Sequence, residues 1–421
     1  MLESISQELE EQEIWHIRAD DPFALTRVLN LPDMIVTGIE IEQTHQRVIV
    51  FCSHDFGVAL CSQCNTISTK IHDYSRRCVR DMPWAARSCY IEFNARRFYC
   101  EKCKIPFREE LQWLERCSRL TKRYQQSLFL QCHRTTLQAV HKKEKLGYKT
   151  LERLYYAQAQ YQLRENPPTA IRKLGIDEFA LKKGHNSFAL ALSDLEAGRI
   201  ICVLPDRKKE TLEAYFRTWS DLQRAHVTEA AMDLWEPYAQ AVCAYLPNAK
   251  IVADRFHVMK NLNDAVTSAR REIQRHLPEE TKQTLKGCRW LLVRNHVDLS
   301  HADKEKLEAM FRRSCSLQQL HGFKEDFRAL FEADLTPQEA KPKLEAWMSR
   351  VEASGLKALF KFVVTLKNRL EHILNYFHDR LTSGMVEGLN NKVKVIKRCA
   401  YGFGNFEHFM LRILMECDGS T

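Results

Sequence analysis

The sequence lacks any long apolar run. Although 45% of its 421 residues are hydrophobic, no stretch approaches the ~18 consecutive apolar residues that a membrane-spanning helix needs. The first ten residues are acidic and lack the basic and apolar regions of a secretory signal peptide. We therefore expect a cytoplasmic protein that does not span a membrane.

The sequence also lacks a Gly-x-x-x-x-Gly-Lys-Ser/Thr segment, which argues against a motor of the P-loop class. It has no acidic excess either, because 63 Lys and Arg residues outnumber 54 Asp and Glu residues. The formal net charge is +9 and the pI is near 8.8. This balance fits a polyanionic partner. The length is sufficient for two or three domains with a sizeable core.

Fifteen cysteines are present, but their odd number and scattered positions do not indicate a disulfide framework. Four of them form two Cys-x-x-Cys pairs, which supply the thiolates of a tetrahedral Zn²⁺ site: Cys61, Cys64, Cys100 and Cys103. The text between the pairs is β-like, as a zinc ribbon requires. We predict a zinc ribbon over residues 57–110 with one structural zinc. The alternative ligands are His72, Cys78 and Cys89.

The predicted ribbon is basic. Between positions 70 and 108, ten Lys and Arg residues stand against four Asp and Glu residues. A zinc ribbon of this charge contacts nucleic acid more often than protein. We therefore predict DNA contacts from this module, including Arg96 and Arg97. The alternative is a solvated basic surface.

The ribbon is preceded by an N-terminal segment, residues 1–56. Within it, positions 34–52 alternate between apolar and polar residues and are rich in β-branched side chains. This pattern predicts a short β-hairpin or two edge strands.

Residues 111–165 follow the ribbon and have a helical pattern. Gly147 falls in a predicted turn between two helices, and Lys149 and Arg153 lie on the outward face of the second helix. We predict a DNA-binding helix-turn-helix. An ordinary helical hairpin would give a similar pattern, so it remains the alternative.

We expect the main domain boundary at the Pro-containing linker 165–170. After it, the hydrophobic period changes from that of a helix to that of a strand. Residues 166–260 predict three strands, a helix, a fourth strand, a second helix and a fifth strand. This order is the layout of an RNase H-like α/β sandwich. The predicted strands cover residues 171–179, 188–195, 199–204, 227–234 and 250–254.

Two aspartates occupy strands of this predicted core. Asp177 lies in the first strand and Asp233 lies at the end of the fourth, and these strands are neighbours in an RNase H-like sheet. A third carboxylate, Glu387, lies in the C-terminal segment 377–421. Carboxylate oxygens in one place suit Mg²⁺ or Mn²⁺. Taken singly, an aspartate at a strand end is more often a cap or turn residue.

Glu387 belongs to a predicted amphipathic helix. The apolar stripe of this helix consists of Val386, Leu389, Val393 and Ile396. A second face carries Glu387, Asn391, Lys394 and Arg398. A solvated amphipathic helix without a catalytic role is the alternative.

Asp254 and His257 follow the fifth strand at a spacing of three. We favour a hydrogen-bonded pair that supports the second aspartate, over direct metal binding or a chance surface pair. Residues 261–376 are helical and charged, with little strand pattern. They predict an all-α insertion in the core, which covers the active site, grips DNA or only spaces the core.

Six segments together resemble the ISL-three family of bacterial insertion-sequence transposases: Gly175–Ala180, Lys182–Gly184, Met232–Tyr238, Ala253–Val258, Glu387–Lys394 and Lys397–Phe403. The similarity extends over nearly the whole chain, including the ribbon and the helix-turn-helix. It implies a DDE transposase, with endonuclease and strand-transfer activity at the terminal inverted repeats of its own element. Local departures are Ser62, where we expected Pro, and the residues just before Glu387.

The resemblance also implies roles for individual residues. Asp177, Asp233 and Glu387 match the three family acids, which would hold two Mg²⁺ or Mn²⁺ ions. Asp254 and His257 match the Asp-x-x-His signature of related families with helical insertions. The remaining predicted DNA contacts are Trp235, beside an unstacked base, and Lys394, Lys397 and Arg398, near the scissile phosphates.

The implied partner is double-stranded DNA, namely the terminal repeats and the target. Because two element ends must be joined, we expect at least a homodimer, associated with the bacterial nucleoid. Two other functions fit parts of the sequence. One is a DNA-binding regulator with an inactive RNase H-like domain, and the other is an RNase H-like nuclease that acts on RNA or DNA junctions.

The two cysteine pairs predict about one zinc per chain. Cys61→Ser should reduce the zinc content of the purified chain well below one equivalent, because three ligands hold zinc more weakly than four. Elemental analysis would measure this. Cys78→Ser is the matched control and should retain the metal. Zinc loss from the control but not from Cys61→Ser would require a different ligand set.

Overall fold

The computed structural model describes residues 14–17, 22–133, 135–167, 170–182, 187–279, 282, 289–380, 384–400 and 403–418. The chain divides into two compact units, Met1–Gln158 and Ala159–Thr421. Within the described residues, none of the helices combines the length and the apolar character that crossing a membrane requires.

The first unit contains a β-sheet followed by helices. Its elements are β1 (Ile14–Ile17), α1 (Pro22–Leu29), β2 (Met34–Glu42), β3 (Arg47–His54), β4 (Ala59–Leu60), β5 (Ile67–Ser68), β6 (Ile71–Trp84), β7 (Arg87–Cys100), β8 (Ile105–Arg108), α2 (Lys122–Cys132), α3 (Leu137–Glu144) and α4 (Tyr148–Glu165). The last of these helices continues into the second unit.

The large sheet of this unit has the strand order β1-β2-β3-β7-β6, and β8 pairs with β7. The predicted hairpin is confirmed as the antiparallel pair β2–β3. It is not separate from the ribbon, however, because β3 also pairs in parallel with β7. Val50 and Ile91 are fully buried in the core that these strands share. An isolated two-stranded hairpin would be marginally stable in water, which explains why it joins a larger sheet.

Two buried polar clusters tie β6 to the helices of the same unit. Asp81 accepts hydrogen bonds from the Thr121 hydroxyl at 2.6 Å and from Nε of Arg123 at 2.8 Å. Glu144 accepts a 2.7 Å hydrogen bond from the Tyr124 hydroxyl and lies 3.6 Å from the Arg80 guanidinium. These contacts position α2 and α3 against the sheet.

The helices α3 and α4 are joined by a three-residue turn at positions 145–147, where the sequence predicts one. Thr136 caps the start of α3 by accepting a hydrogen bond from the backbone of Ala139. Lys145 ends the helix in a left-handed conformation with φ of 52°. Leu151 on α4 is fully buried, while Lys149 and Arg153 are exposed.

The second unit is an α/β domain. Its elements are β9 (Lys173–Lys182), β10 (Ser187–Asp194), β11 (Arg199–Leu204), α5 (Lys209–Arg217), α6 (Asp221–His226), β12 (Glu229–Met232), α7 (Glu236–Tyr245), β13 (Lys250–Ala253), α8 (Arg255–Arg275), α9 (Arg289–Val293), a 3₁₀ turn (His296–Asp298), α10 (His301–Arg313), α11 (Cys315–Glu332), α12 (Pro337–Ala353), α13 (Lys357–Asn368), α14 (Leu370–Asp379), α15 (Gly384–Cys399) and α16 (Phe406–Glu416).

The sheet of this unit has the order β11-β10-β9-β12-β13. Its first three strands are antiparallel, whereas β12 runs parallel to both β9 and β13. The five predicted strands are all present, and the predicted neighbours β9 and β12 are paired. The short helix α6 was not predicted. Because it begins with a complete capping box at Ser220 and Gln223, a local sequence signal for it does exist.

Both faces of the sheet are covered. Side chains of α5 and α7, such as Phe216 and Val242, pack on the face that carries Ile176. Side chains of α15 and α16, such as Val393 and Ile413, pack on the opposite face. The two faces alternate along each strand, since successive side chains point in opposite directions.

The described residues from 255 to 379 contain helices and no strand. They do not form a separate core, because Val252 and Ala253 of β13 are buried together with residues of α8 and α11–α14. The last helix of this segment, α14, lies along the edge strand β13, where the Asn375 amide donates a 2.9 Å hydrogen bond to the Ile251 carbonyl. The helical segment is therefore an integral part of the domain.

The boundary between the two units falls inside α4, earlier than the predicted linker. The last turns of α4 belong to the second unit, because Leu163 packs into its core and the Gln160 amide donates a 2.8 Å hydrogen bond to Glu407. A helix can cross a domain boundary without any break in its hydrophobic periodicity. The sequence pattern therefore indicated a boundary only at the Pro residues that follow the helix.

The buried contacts of Asp81 predict a local stability effect. Asp81→Asn should lower the free energy of opening of β6 by about 2 kcal/mol, because Arg123 and Thr121 lose a charged acceptor. Amide hydrogen exchange of β6 in the full-length chain would measure it. Asp73→Asn, in an exposed pair with Arg97, is the control and should change this energy by less than about 0.5 kcal/mol. Equal effects of the two variants would contradict the interpretation.

Candidate metal centre and candidate active site

The four cysteines of the two Cys-x-x-Cys pairs converge on one point of the first unit. Their sulfur atoms all lie within 4.8 Å of one another, which is the arrangement of a tetrahedral zinc site. The two loops that hold them have the same backbone geometry. Asn65 donates to the Cys61 carbonyl and Lys104 donates to the Cys100 carbonyl, both at 2.8 Å, and both donors have positive φ.

Neighbouring groups shift the pKa values of two thiols of this cluster in opposite directions. A hydrogen bond with Thr66 lowers the pKa of Cys64 to about 6, whereas the adjacent Cys64 raises the pKa of Cys103 to about 12. The alternative ligands are not part of the group formed by the described residues. His72 is paired with Asp73, and Cys89 is buried in the sheet core.

Three aspartates lie side by side in a region that we call the carboxylate edge, where β12 and β13 end beside the middle of β9. In the parallel ladder, Ile176 of β9 pairs with Met232 of β12, which pairs with Ala253 of β13. Each of these residues is followed directly by an aspartate: Asp177, Asp233 and Asp254. Because neighbouring strands are ~4.8 Å apart, the three carboxylates belong to one small region.

His257 connects two of these aspartates. It lies in the first turn of α8, and its Nδ1 is 2.7 Å from Oδ2 of Asp254, while its Nε2 is 3.9 Å from Oδ1 of Asp177. The other Asp254 oxygen accepts a 3.0 Å hydrogen bond from the backbone of Phe256 and thus caps the helix. Burial acts to lower the pKa of His257, but the Asp254 hydrogen bond and the charges of the three aspartates outweigh it and raise the pKa.

Asp177 is largely buried, with 17% of its side chain exposed. Burial raises the pKa of this carboxyl group, although the charge of His257 and hydrogen bonds from the Glu178 backbone and the Asn390 amide act in the opposite direction. Carboxylate oxygens such as those of Asp177 and Asp233 are ligands of the kind that a divalent cation takes. Among the described residues, however, this region does not bring three ligand atoms as close together as the four cysteines are.

The helix α15 brings a further group to this edge. Nδ2 of Asn390 donates a hydrogen bond to Oδ2 of Asp177. Glu387 lies three residues earlier in the helical backbone, and its side chain is outside the described part of the chain. The predicted apolar stripe is confirmed at Leu389, Val393 and Ile396, which are buried against the sheet, while Val386 also lies outside the described side chains.

Sequence analysis did not identify Asn390. It assigned Asn391 to the face of Glu387 by a spacing of four, but a spacing of three also places residues on one side of a helix. Asn391 is exposed and accepts a 3.2 Å hydrogen bond from Lys394.

A second missed group lies on the opposite face of the sheet. Glu178 accepts a 2.8 Å hydrogen bond from the Tyr238 hydroxyl and lies 3.4 Å from the Arg207 guanidinium. Arg207 is 4.7 Å from the ring centre of Phe188 and 5.7 Å from that of Trp235. Trp235 remains 38% exposed, so its predicted contact with a base is sterically open.

The other predicted DNA contacts have different environments. Lys394 and Arg398 are exposed on α15, whereas Lys397 donates a 2.9 Å hydrogen bond to the Ala180 carbonyl. In the first unit, Lys149 is exposed beside Glu152, and Arg153 is exposed.

The two predicted arginines of the ribbon differ from each other. Arg97 is partly exposed and pairs with Asp73 at 3.0 Å. Arg96 is only 8% exposed, because its guanidinium is bound by Glu109 at 2.7 Å and by the Phe56 carbonyl. These buried contacts give Arg96 a role in the fold of the ribbon, and its predicted contact with DNA stays a prediction.

Comparison with known proteins finds one matching family profile within each unit. The transposase profile of the ISL-three family matches residues 174–413. A profile for the zinc-finger of transposase IS204/IS1001/IS1096/IS1165 matches residues 57–103. The first range contains the three predicted catalytic acids, and the second contains all four cysteines.

Two curated relatives are similar over long stretches. The transposase for insertion sequence element IS1001 of Bordetella parapertussis is 31% identical over 367 residues, which cover 86% of this chain and 90% of that protein. The transposase for insertion sequence element IS1557 of Mycobacterium tuberculosis is 25% identical over 256 residues, which cover 55% of this chain and 57% of that protein.

The contacts of His257 predict a titration effect in the metal-free protein. Asp254→Asn should lower the pKa of His257, because it removes a charge and a charged hydrogen-bond acceptor while the burial remains. The ring-proton NMR signal of His257, followed against pH, would measure the shift. Asp264→Asn, an exposed position on the same helix, should leave the titration unchanged. An unchanged pKa in Asp254→Asn would contradict the described pairing.

Proposed function

Because the chain belongs to the ISL-three family of insertion-sequence transposases, we propose that it binds the terminal inverted repeats of its own element and cuts and rejoins DNA there. The observation that carries this proposal is the alignment of Asp177, Asp233 and Asp254 on three adjacent parallel strands, with α15 docked against Asp177. The mixed sheet, with three antiparallel strands followed by two parallel ones, supports assignment of the second unit to the RNase H-like class.

Asp177, Asp233 and Glu387 are the residues that we propose as ligands of two Mg²⁺ or Mn²⁺ ions. When bound, such ions activate the attacking water or 3′-hydroxyl group and stabilise the leaving oxygen in phosphoryl transfer. The hydrogen bond between Asp254 and Nδ1 of His257 directs Nε2 toward Asp177. This geometry favours a supporting role for Asp254 and His257, which orient Asp177 and offset its charge.

The surface around this edge provides contacts for DNA. Lys394 and Arg398 are exposed and one helical turn apart, so both can bind phosphates of the same strand. Trp235 offers an exposed ring to a base near the cut. Lys397, in contrast, mainly holds α15 against β9 through its hydrogen bond to the Ala180 carbonyl.

The first unit is proposed to recognise the terminal repeats. Lys149 and Arg153 lie at the exposed start of α4, the second helix of the helix-turn-helix, and Arg97 belongs to the basic ribbon. The four-cysteine centre would stabilise the ribbon fold around a zinc ion. Joining two element ends requires two active sites, so the functional form is proposed to be at least a homodimer.

Cleavage of a duplex that carries the element's own end tests this function. In Mg²⁺, Asp177→Asn and Glu387→Gln should each lower the cleavage rate by a factor on the order of 10³ or more, because a metal ligand is lost. Asp233→Cys should be inactive in Mg²⁺ and partly active in Mn²⁺, since the softer ion accepts a thiolate.

Asp254→Cys is the matched variant for the metal-rescue test. It should show no selective rescue by Mn²⁺, because Asp254 is assigned to His257 and to the cap of α8. Rescue at position 254 instead of 233 would exchange the two assignments. If the wild-type protein binds the element end but does not cut it with either metal, a regulator with an inactive domain becomes the better description.

A further inference from the structure

We propose that Asn390 is a positioning residue, which orients the carboxylate of Asp177 and fixes the register at which α15 meets β9. The effect of Asn390 on DNA cleavage rests on the proposed function, whereas its effect on the docking of α15 does not. The hydrogen bond between Asn390 and Asp177 joins residues that are 213 positions apart in the chain. It links the strand of the first acid to the helix of the third.

The hydrogen bonds of Asp177 define the plane of its carboxylate. Oδ1 accepts a 2.7 Å hydrogen bond from the backbone of Glu178, and Oδ2 accepts one from Nδ2 of Asn390. An ionised carboxylate can only accept hydrogen bonds, so the amide nitrogen of Asn390 must face it. With one partner on each oxygen, rotation of the carboxylate would break at least one bond.

This arrangement is compatible with metal binding by Asp177. Each carboxylate oxygen has two lone pairs. The hydrogen bond from Asn390 uses one lone pair of Oδ2 and leaves the other for a cation. Groups that hold ligands in this way typically contribute a factor of ~10–100 to metal affinity or activity.

A second contact fixes the register of the helix. Lys397 of α15 donates to the Ala180 carbonyl of β9 at 2.9 Å, and Val393, between the two contacts, is buried against the sheet. The seven residue-to-residue steps from 390 to 397 span ~10.5 Å of helix, and the three steps from 177 to 180 span ~10 Å of strand. The two contacts therefore match in spacing on both elements.

This match determines where Glu387 can lie. A slip of α15 by one residue would rotate its side chains by ~100° and shift them by ~1.5 Å along the axis. Both contacts with β9 would then be lost. Asn390 is one helical turn from position 387, so its bond to Asp177 sets the distance from Asp177 to the helical backbone at that position.

The chain provides a matched control in the adjacent residue. Asn391 has the same side chain on the same helix, but it is exposed and contacts Lys394. The test compares Asn390→Ala and Asn390→Asp with Asn391→Ala in the full-length protein. Asn390→Ala removes the hydrogen bond without adding a charge. Asn390→Asp preserves the side-chain volume but replaces the donor by a second carboxylate that faces Asp177, so it adds repulsion to the loss of the bond.

The first measurement is hydrogen exchange of α15 in metal-free protein. Both substitutions of Asn390 should accelerate exchange by about tenfold, and Asn391→Ala should not change it. Exchange in α5, on the opposite face of the sheet, reports the global fold and should stay unchanged. If α5 loses protection as well in both variants, the residue has a general structural role and the proposal is wrong.

The second measurement is Mn²⁺ affinity by electron paramagnetic resonance, and the third is cleavage of the element end. Asn390→Ala should weaken Mn²⁺ binding at least about tenfold and lower kcat by about 10²-fold, with little change in KM for DNA. Asn391→Ala should remain within about twofold of wild type in each measurement.

Either of two further results would overturn the inference. One is that Asn390→Ala and Asn391→Ala give equal values in these measurements, and the other is that α15 of Asn390→Asp exchanges its amide hydrogens as slowly as in the wild type. If wild-type protein never cuts DNA, the proposed function fails, but the exchange and Mn²⁺ measurements still decide the role of Asn390.

Discussion

The parallel pairing of β12 with both β9 and β13 is the constraint on which the candidate active site depends. It places Asp177, Asp233 and Asp254 at the same level of three adjacent strands. A shift by one residue would exchange the two faces of a strand. At β9, such a shift would present Glu178 in place of Asp177. The two acids have separate environments, since Glu178 contacts Tyr238 and Arg207 while Asp177 faces His257 and Asn390.

The register of these strands is held by contacts between β9 and β10, along the edge strand β13, and at the amino ends of β9 and β12. Gly175 allows a close approach of β10, because a Cβ atom there would lie 2.4 Å from Oγ of Ser193. The helix α14 covers the edge strand β13 through Asn375. At the amino ends of β9 and β12, Lys173 lies 2.6 Å from Asp379 and 3.4 Å from Glu229. The helical segment thus stabilises the strands that position the aspartates.

Much of this organisation could be predicted from local patterns. Strand periodicity located all five strands of the second sheet, and the Cys-x-x-Cys spacing located the metal centre, since in both cases the information lies within a few residues. Pairings between distant segments could not be predicted. The parallel pair β3–β7 joins the predicted N-terminal segment to the ribbon, and its register depends on a core that local patterns do not reveal.

The same limit applies to the environments of individual residues. Spacings of three and four both keep residues on one side of a helix, so only the docking of α15 distinguishes Asn390 from Asn391. The positive charge of Arg96 favoured a DNA contact in the sequence, but Glu109 binds its guanidinium in the interior. Charge alone does not separate these cases, because a basic residue beside an acid in space can be far from it in sequence.

The carboxylate edge combines function with a cost in stability. Asp177 and His257 both have pKa values raised by their surroundings, so the folded state binds their protons more tightly than the unfolded state. Stability contributed by such groups is present at low pH and is lost as pH rises through the folded-state pKa. For Asp177 this loss begins above its ordinary value of 3.8, and for His257 above 6.5. At neutral pH the ionised carboxylate of Asp177 therefore opposes folding of the metal-free domain, mainly because burial disfavours its charge. Asp177 keeps its buried position because the packed sheet, the cap of α8 and the contacts of α15 offset this cost.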